Sequence, residues 1–223
     1  MITLRYFARL AVMVLSVAAV PFSRAVDTGV AAIIFQNACA HCHGAKGEGN
    51  PEVKSPSIAS LPGWYVRGQL ESFRADRRGS HPQDVEGQLM RVISKVLNDD
   101  QVVAIAEYVS KLPRVMPRPT IKADVAAGRE LYEERCMECH RFNGEGELAF
   151  GSAQLVGLQD WYLAGQMRKF RDSIRGSEKD DVKGQKMAFS ARFIETEELM
   201  QSVAAYLLSI QAKKPSTEFD FGK

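Results

Sequence analysis

The chain has 223 residues, a quarter of them charged, and its 29 basic residues against 27 acidic ones give a formal net charge of +2. The surplus sits at the N-terminus: past residue 25, and so without Arg5, Arg9 and Arg24, the remaining 198 residues carry 26 bases and 27 acids. That excludes the basic footprint of a nucleic-acid-binding protein and leaves enough chain for one or two domains.

Arg5 and Arg9 precede an apolar run from Leu10 to Val20, followed by Ser23 and Ala25 at small-x-small spacing. This is the pattern of a secretory signal peptide over residues 1–25, and the chain is expected to be exported from the cytoplasm. The run is short for a membrane span, which needs about 20 residues, so cleavage after Ala25 is favoured over retention as an anchor. Asp27 then stands where a helix N-cap belongs, and the helix runs into "CAHCHGAKGEG" from Cys39. Gly- and Pro-containing loops follow, broken by a helix at "GWYVRGQLESFR". A closing helix at "NDDQVVAIAEYVSKL" starts at Asn98, with Gln101 at capping-box spacing.

At "LPRVMPRPTIKA" three prolines favour an extended connector. Beyond it the pattern starts again, with Asp124 as N-cap, "CMECHRFNGEG" from Cys136, and a final helix beginning at Thr196. The offset between copies is 97 residues, and 14 of the 27 positions from Trp64 to Met90 are identical to their counterparts, which identifies an internal repeat. The expected organisation is a signal peptide 1–25, an N-terminal domain 26–114, a linker 115–119, a C-terminal domain 120–212 and a tail 213–223. The fold class is all-α.

Each copy carries Cys-x-x-Cys-His. A redox disulfide wants a βαβ setting, a zinc ribbon spaces its halves by roughly 15–20 residues, and neither accounts for a histidine repeated in both copies. Covalent haem does: two thiols one helical turn apart, Cys39 with Cys42 and Cys136 with Cys139, each add to a vinyl group, and His43 or His140 lies beneath the iron. The implied cofactors are two covalently bound haem c groups. Met90 and Met187 each lie 51 residues after the first cysteine of their copy, inside "GQLM" and "GQKM". A methionine is ordinarily a core gap-filler, the reading kept for Met13, Met137, Met167 and Met200; the shared register argues for Met90 and Met187 as the sixth iron ligands.

The order Cys-x-x-Cys-His, "PSI", "WYVRGQLESFR", "RRGSHPQDVEGQLM" and a closing helix resembles a class I cytochrome c domain, and the tandem resembles the dihaem cytochrome c4 family. The resemblance implies two haem domains meeting across a pseudo-twofold axis with propionates near the interface. It also implies electron transfer in the periplasm, from a quinol-oxidising complex to a terminal oxidase. In that family a loop proline offers its carbonyl to the proximal histidine; Pro56 fits, and its counterpart is Ala153, which implies a small difference in potential between the haems. Arg74, Arg78, Arg171 and Arg175 suit either propionate pairing or a solvated helix face. Trp64 and Trp161 suit a propionate hydrogen bond or packing against haem. His41 reads as a surface residue and His81 as a weak candidate distal ligand. The rival readings are a dihaem enzyme, a peroxidase or a thiosulfate-oxidising cytochrome, and a cytochrome subunit tethered to a respiratory complex.

Overall fold

The computed structural model describes residues 28–211. The signal segment, Met13, the Asp27 cap and the 213–223 tail lie outside the described residues. Helix α1 (Thr28–Ile34) continues through a π-helical turn (Phe35–Cys39) into α2 (Ala40–His43), followed by α3 (Gly63–Arg74), α4 (Val85–Lys95) and α5 (Asp99–Ser110). The second copy repeats the order with α6 (Val125–Arg135), α7 (Met137–His140), α8 (Asp160–Arg171), α9 (Val182–Ala191) and α10 (Glu197–Gln211). Among the described residues the only β pairing is two isolated bridges at matching places, Asn50 with Ser55 and Glu147 with Ser152.

The caps are where side-chain chemistry puts them. Asn98 accepts the Gln101 N–H at 2.9 Å while the Gln101 side chain accepts the Asn98 N–H at 3.0 Å, and Asp124 accepts from Ala126 and Ala127. Helices α4 and α9 correct the expectation of loops. Each is capped by an aspartate, Asp84 on the Gly87 N–H at 3.2 Å and Asp181 on the Gly184 N–H at 2.9 Å. Val85, Leu89 and Val92 of α4 do recur at helical spacing, but the stripe they form points outward, each more than 60% exposed.

In each copy the first and last helices cross on an aromatic pair, Phe35 with Tyr108 at 5.2 Å between centroids and Tyr132 with Tyr206 at 5.4 Å. At the crossing, Ala31 is fully buried in the first copy, and its counterpart is Gly128. A Cβ at Gly128 would lie 1.9 Å from the carbonyl oxygen of Ser202, a backbone atom that cannot rotate away. Gly128→Ala is therefore expected to destabilise the second domain by about 3 kcal/mol, read as a lowered midpoint in thermal unfolding; an unchanged midpoint would refute the tight crossing.

The two halves share apolar ground. Leu61 of the first half joins the core of Leu158, Leu163, Met167, Val203 and Leu207, with Tyr65 packed beside it. Asp160, buried where the first copy has Gly63, accepts from the Thr120 N–H at 2.6 Å, the Thr120 hydroxyl at 2.7 Å and the Ile121 N–H at 2.8 Å, fixing the end of the connector. Lys169 reaches from α8 to Asp84 at 2.6 Å and Glu86 at 2.8 Å.

Candidate functional site

The π-helical turn and α2 set Cys39, Cys42 and His43 on one short rod, and α7 does the same for Cys139 and His140 just past Cys136. None of the four cysteines is tied up in a disulfide. Burial, and then the neighbouring thiol, pushes both Cys39 and Cys136 up to about 11. These are protonated groups at neutral pH, the opposite of the activated thiolate of a redox pair. Among the described residues no three His, Cys, Asp or Glu side chains converge as a zinc site would require.

Both histidines are buried, and each is oriented by a backbone carbonyl: His43 Nδ1 lies 2.8 Å from the oxygen of Pro56, and His140 Nδ1 lies 2.8 Å from that of Ala153. With Nδ1–H donating, Nε2 keeps its lone pair for a metal. Burial holds both rings below the usual histidine range, the carbonyl bond opposing it only in part, so the imidazoles are neutral. The alanine carbonyl at 153 thus does the work of the proline carbonyl at 56. Gly49 (φ +85°) turns the chain back under His43, where a Cβ would sit 2.5 Å from the Ser57 nitrogen.

Met187 lines a cavity of about 500 Å³ together with Cys136, Cys139 and His140, so the structure gathers these four around one space. That size lies within the ~300–1,000 Å³ typical of cofactor sites. In the first copy Cys39 and Met90 border one apolar cluster, that of Phe35, Leu70 and Val102. Met167 and Met200 are buried as expected of gap-fillers, but Met137 is 37% exposed, because it lies between the two cysteines on the outer side of α7.

The arginines divide. Arg74 pairs with Asp99 at 2.8 Å and Arg171 with Asp172 at 2.8 Å, both near the surface. Arg78 and Arg175 meet at the domain boundary and line the same cavity. Arg78 donates to Gln69 at 2.5 Å and to Tyr162 at 3.1 Å, while Arg175 donates to Gln166 at 2.6 Å and Gln69 at 2.9 Å. The guanidiniums lie over Phe73 and Phe170, at 4.5 and 4.4 Å from the ring centres. No carboxylate is among their hydrogen-bond partners. Burial, then Arg78, holds Arg175 below its ordinary value, and burial of the Tyr162 hydroxyl is outweighed by the two guanidiniums, which pull it down. The buried Nε of Arg78 has no partner at all. A cationic pair with an orphaned donor, bordering a cavity that holds two thiols, a neutral imidazole and a thioether, fits a porphyrin with its acidic substituents directed at the boundary.

Trp64 lines the cavity of the other copy, a placement the repeat did not suggest. His41 is exposed, and His81 accepts the Gln83 N–H at 3.2 Å in the loop before α4.

Helical domains of this kind, built twice with a Cys-x-x-Cys-His rod in each, define a tandem covalent-haem protein. The family model described as Cytochrome c matches residues 31–113 and again 125–211. The chain belongs to the cytochrome c family, and it carries two covalent haem c groups and serves electron transfer. It is 33% identical over 150 residues to a protein of Thiomonas intermedia named thiosulfate dehydrogenase electron acceptor, covering 63% of this chain and 65% of that protein. Its fold matches reduced cytochrome c4 from Pseudomonas stutzeri with a TM-score of 0.63 at 24% identity, over 82% of this chain and 98% of that one. The thiosulfate dehydrogenase TsdBA of Marichromatium purpuratum matches with a TM-score of 0.65 at 27% identity, over 82% of this chain but 40% of that one.

Proposed function

We propose that the protein is a periplasmic carrier of single electrons and not an enzyme. His43 and Met90 ligate one iron and His140 and Met187 the other, and Cys39, Cys42, Cys136 and Cys139 hold the porphyrins as thioethers. The observation that carries this reading is the shared border of the second cavity: two thiols, a carbonyl-oriented neutral histidine and a methionine from α9. When bound, each haem supplies a reversible one-electron iron couple. The Pro56 and Ala153 carbonyls fix the imidazole tautomers, and His43, Met90, His140 and Met187 would hold the irons, where a thioether ligand would raise the potential. Iron held by both a histidine and a methionine would offer no open position to a substrate, and with all four cysteines in attachment none would be left as a distinctive enzyme ligand.

The domain limits given above, 26–114 and 120–212, belong to this reading. The resemblance to cytochrome c4 favours a quinol-oxidising complex as donor and a terminal oxidase as acceptor. The relative named as an electron acceptor of thiosulfate dehydrogenase favours a second donor, an enzyme that oxidises a small sulfur anion. Among the described residues no helix is long and apolar enough to cross a membrane, and cell fractionation separates a free carrier from a subunit held in a complex. The deciding measurement is the absorption spectrum of the purified protein in both oxidation states. Two six-coordinate haems, with the weak ferric band of methionine-sulfur ligation and no carbon monoxide binding at equilibrium, are expected. Carbon monoxide or peroxide binding to the native protein would move the assignment to an enzyme.

A further inference from the structure

Gln159, in the turn that opens α8, is buried, and its carboxamide crosses the domain boundary. Its Oε1 accepts the Ser57 N–H at 2.8 Å and its Nε2 donates to the Glu48 carbonyl at 2.8 Å. The Ser57 N–H and the Pro56 carbonyl are two ends of a single peptide group, and that carbonyl is the one 2.8 Å from His43 Nδ1. An unbroken series therefore runs from a side chain of the second domain to the imidazole of the first. Hydrogen bonds in series polarise one another: a peptide whose N–H donates carries more negative charge on its oxygen and accepts more strongly. Gly49 makes room for the arrangement, since a Cβ there would lie 2.5 Å from Gln159 Nε2. The relation is not reciprocal. The residue 97 places before Gln159 is Pro62, which has no side-chain acceptor to offer the Ala153–Gln154 peptide that serves His140.

We propose that Gln159 is a positioning residue for the first iron site: by holding the Pro56–Ser57 peptide it strengthens the His43 hydrogen bond, gives the imidazole more anionic character, and lowers the reduction potential of the first haem relative to the second. This rests on His43 as an iron ligand. A more basic imidazole stabilises ferric iron, so loss of the acceptor favours reduction.

The test is a spectroelectrochemical titration of the intact dihaem protein, with the two haems told apart by their hyperfine-shifted methyl proton signals. Gln159→Leu is expected to raise the reduction constant of the first haem about threefold, about 28 mV at ~59 mV per decade for one electron, and to leave the second unmoved. Gln159→Glu, which keeps an acceptor and adds charge, is expected to hold the first midpoint at or below wild type. Equal shifts at both haems, no shift in the leucine variant, or the same shift in both variants would reduce Gln159 to a clasp between domains and overturn the proposal. Should the leucine variant fail to fold, the glutamate variant decides alone, an upward shift of the first midpoint counting against the idea. The ligand reading fails separately, if substitution of His43 leaves the spectrum of the first haem unchanged.

Discussion

Met187→Ala is expected to open the second iron to carbon monoxide and to lower its reduction potential by on the order of 0.2 V, a fraction of the ~0.8 V over which axial ligands set haem potentials. The thioether favours ferrous iron, and α9 offers no replacement: the cavity neighbours there are Val182, Lys183, Gly184, Lys186, Ser190 and Ala191, none of them a soft ligand, while the other thioether on the cavity wall, Met167 of α8, is buried in the core cluster. The alanine leaves room for water or an added ligand. Met90→Ala should do the same at the first haem, and the pair of variants assigns each midpoint to its domain. Retention of the native ferric spectrum in either variant would remove that methionine from the site.

The second large effect is a reversal of sign at Arg78 and Arg175. Two guanidiniums lie together with only amide and phenol oxygens as partners. The carboxylate acting on Arg78 is that of Asp84, which makes no hydrogen bond to it and is itself paired with Lys169. Enclosed like charges so weakly countered are unfavourable, whereas removing one partner of an enclosed ion pair is costly. If haem propionates complete the pairing, Arg78→Leu destabilises the holoprotein by about 3–5 kcal/mol. In a haem-free form, made by replacing the four cysteines with alanine, the same substitution strengthens the contact between domains. Denaturant unfolding of both forms reads the two signs. A loss of equal size with and without haem would mean that the arginines serve packing alone.

Much of this was legible in the residues. The stretch "GWYVRGQLESFR" is α3 end to end, the Asn98 capping box is formed, and the paired histidines sit on the carbonyls of Pro56 and Ala153. Helix α4 was legible in principle, since Val85, Leu89 and Val92 recur at helical spacing; that stripe faces outward while Gly87 and Ser94 are buried, and in α9 the buried face is made of Gly184, Ala188 and Ala191, small residues that carry little apolar signal. The signal that could have found them is the aspartate three residues ahead of a glycine at the same place in both copies. The split among the arginines was hidden for a different reason. All four recur at the repeat offset, and only the tertiary turn after α3 and α8 separates the surface pair from the boundary pair. Gln159 was invisible to repeat logic because it is a departure from the repeat, and its role depends on a segment 102 residues away.

The membership of Leu61 in the neighbouring core bears on ancestry. A duplicated gene begins with interchangeable halves, but once a leucine from the leading copy fills a gap in the trailing one, neither can return to solitary life without an exposed wound. A trailing half made by itself would lack one side chain of its own core.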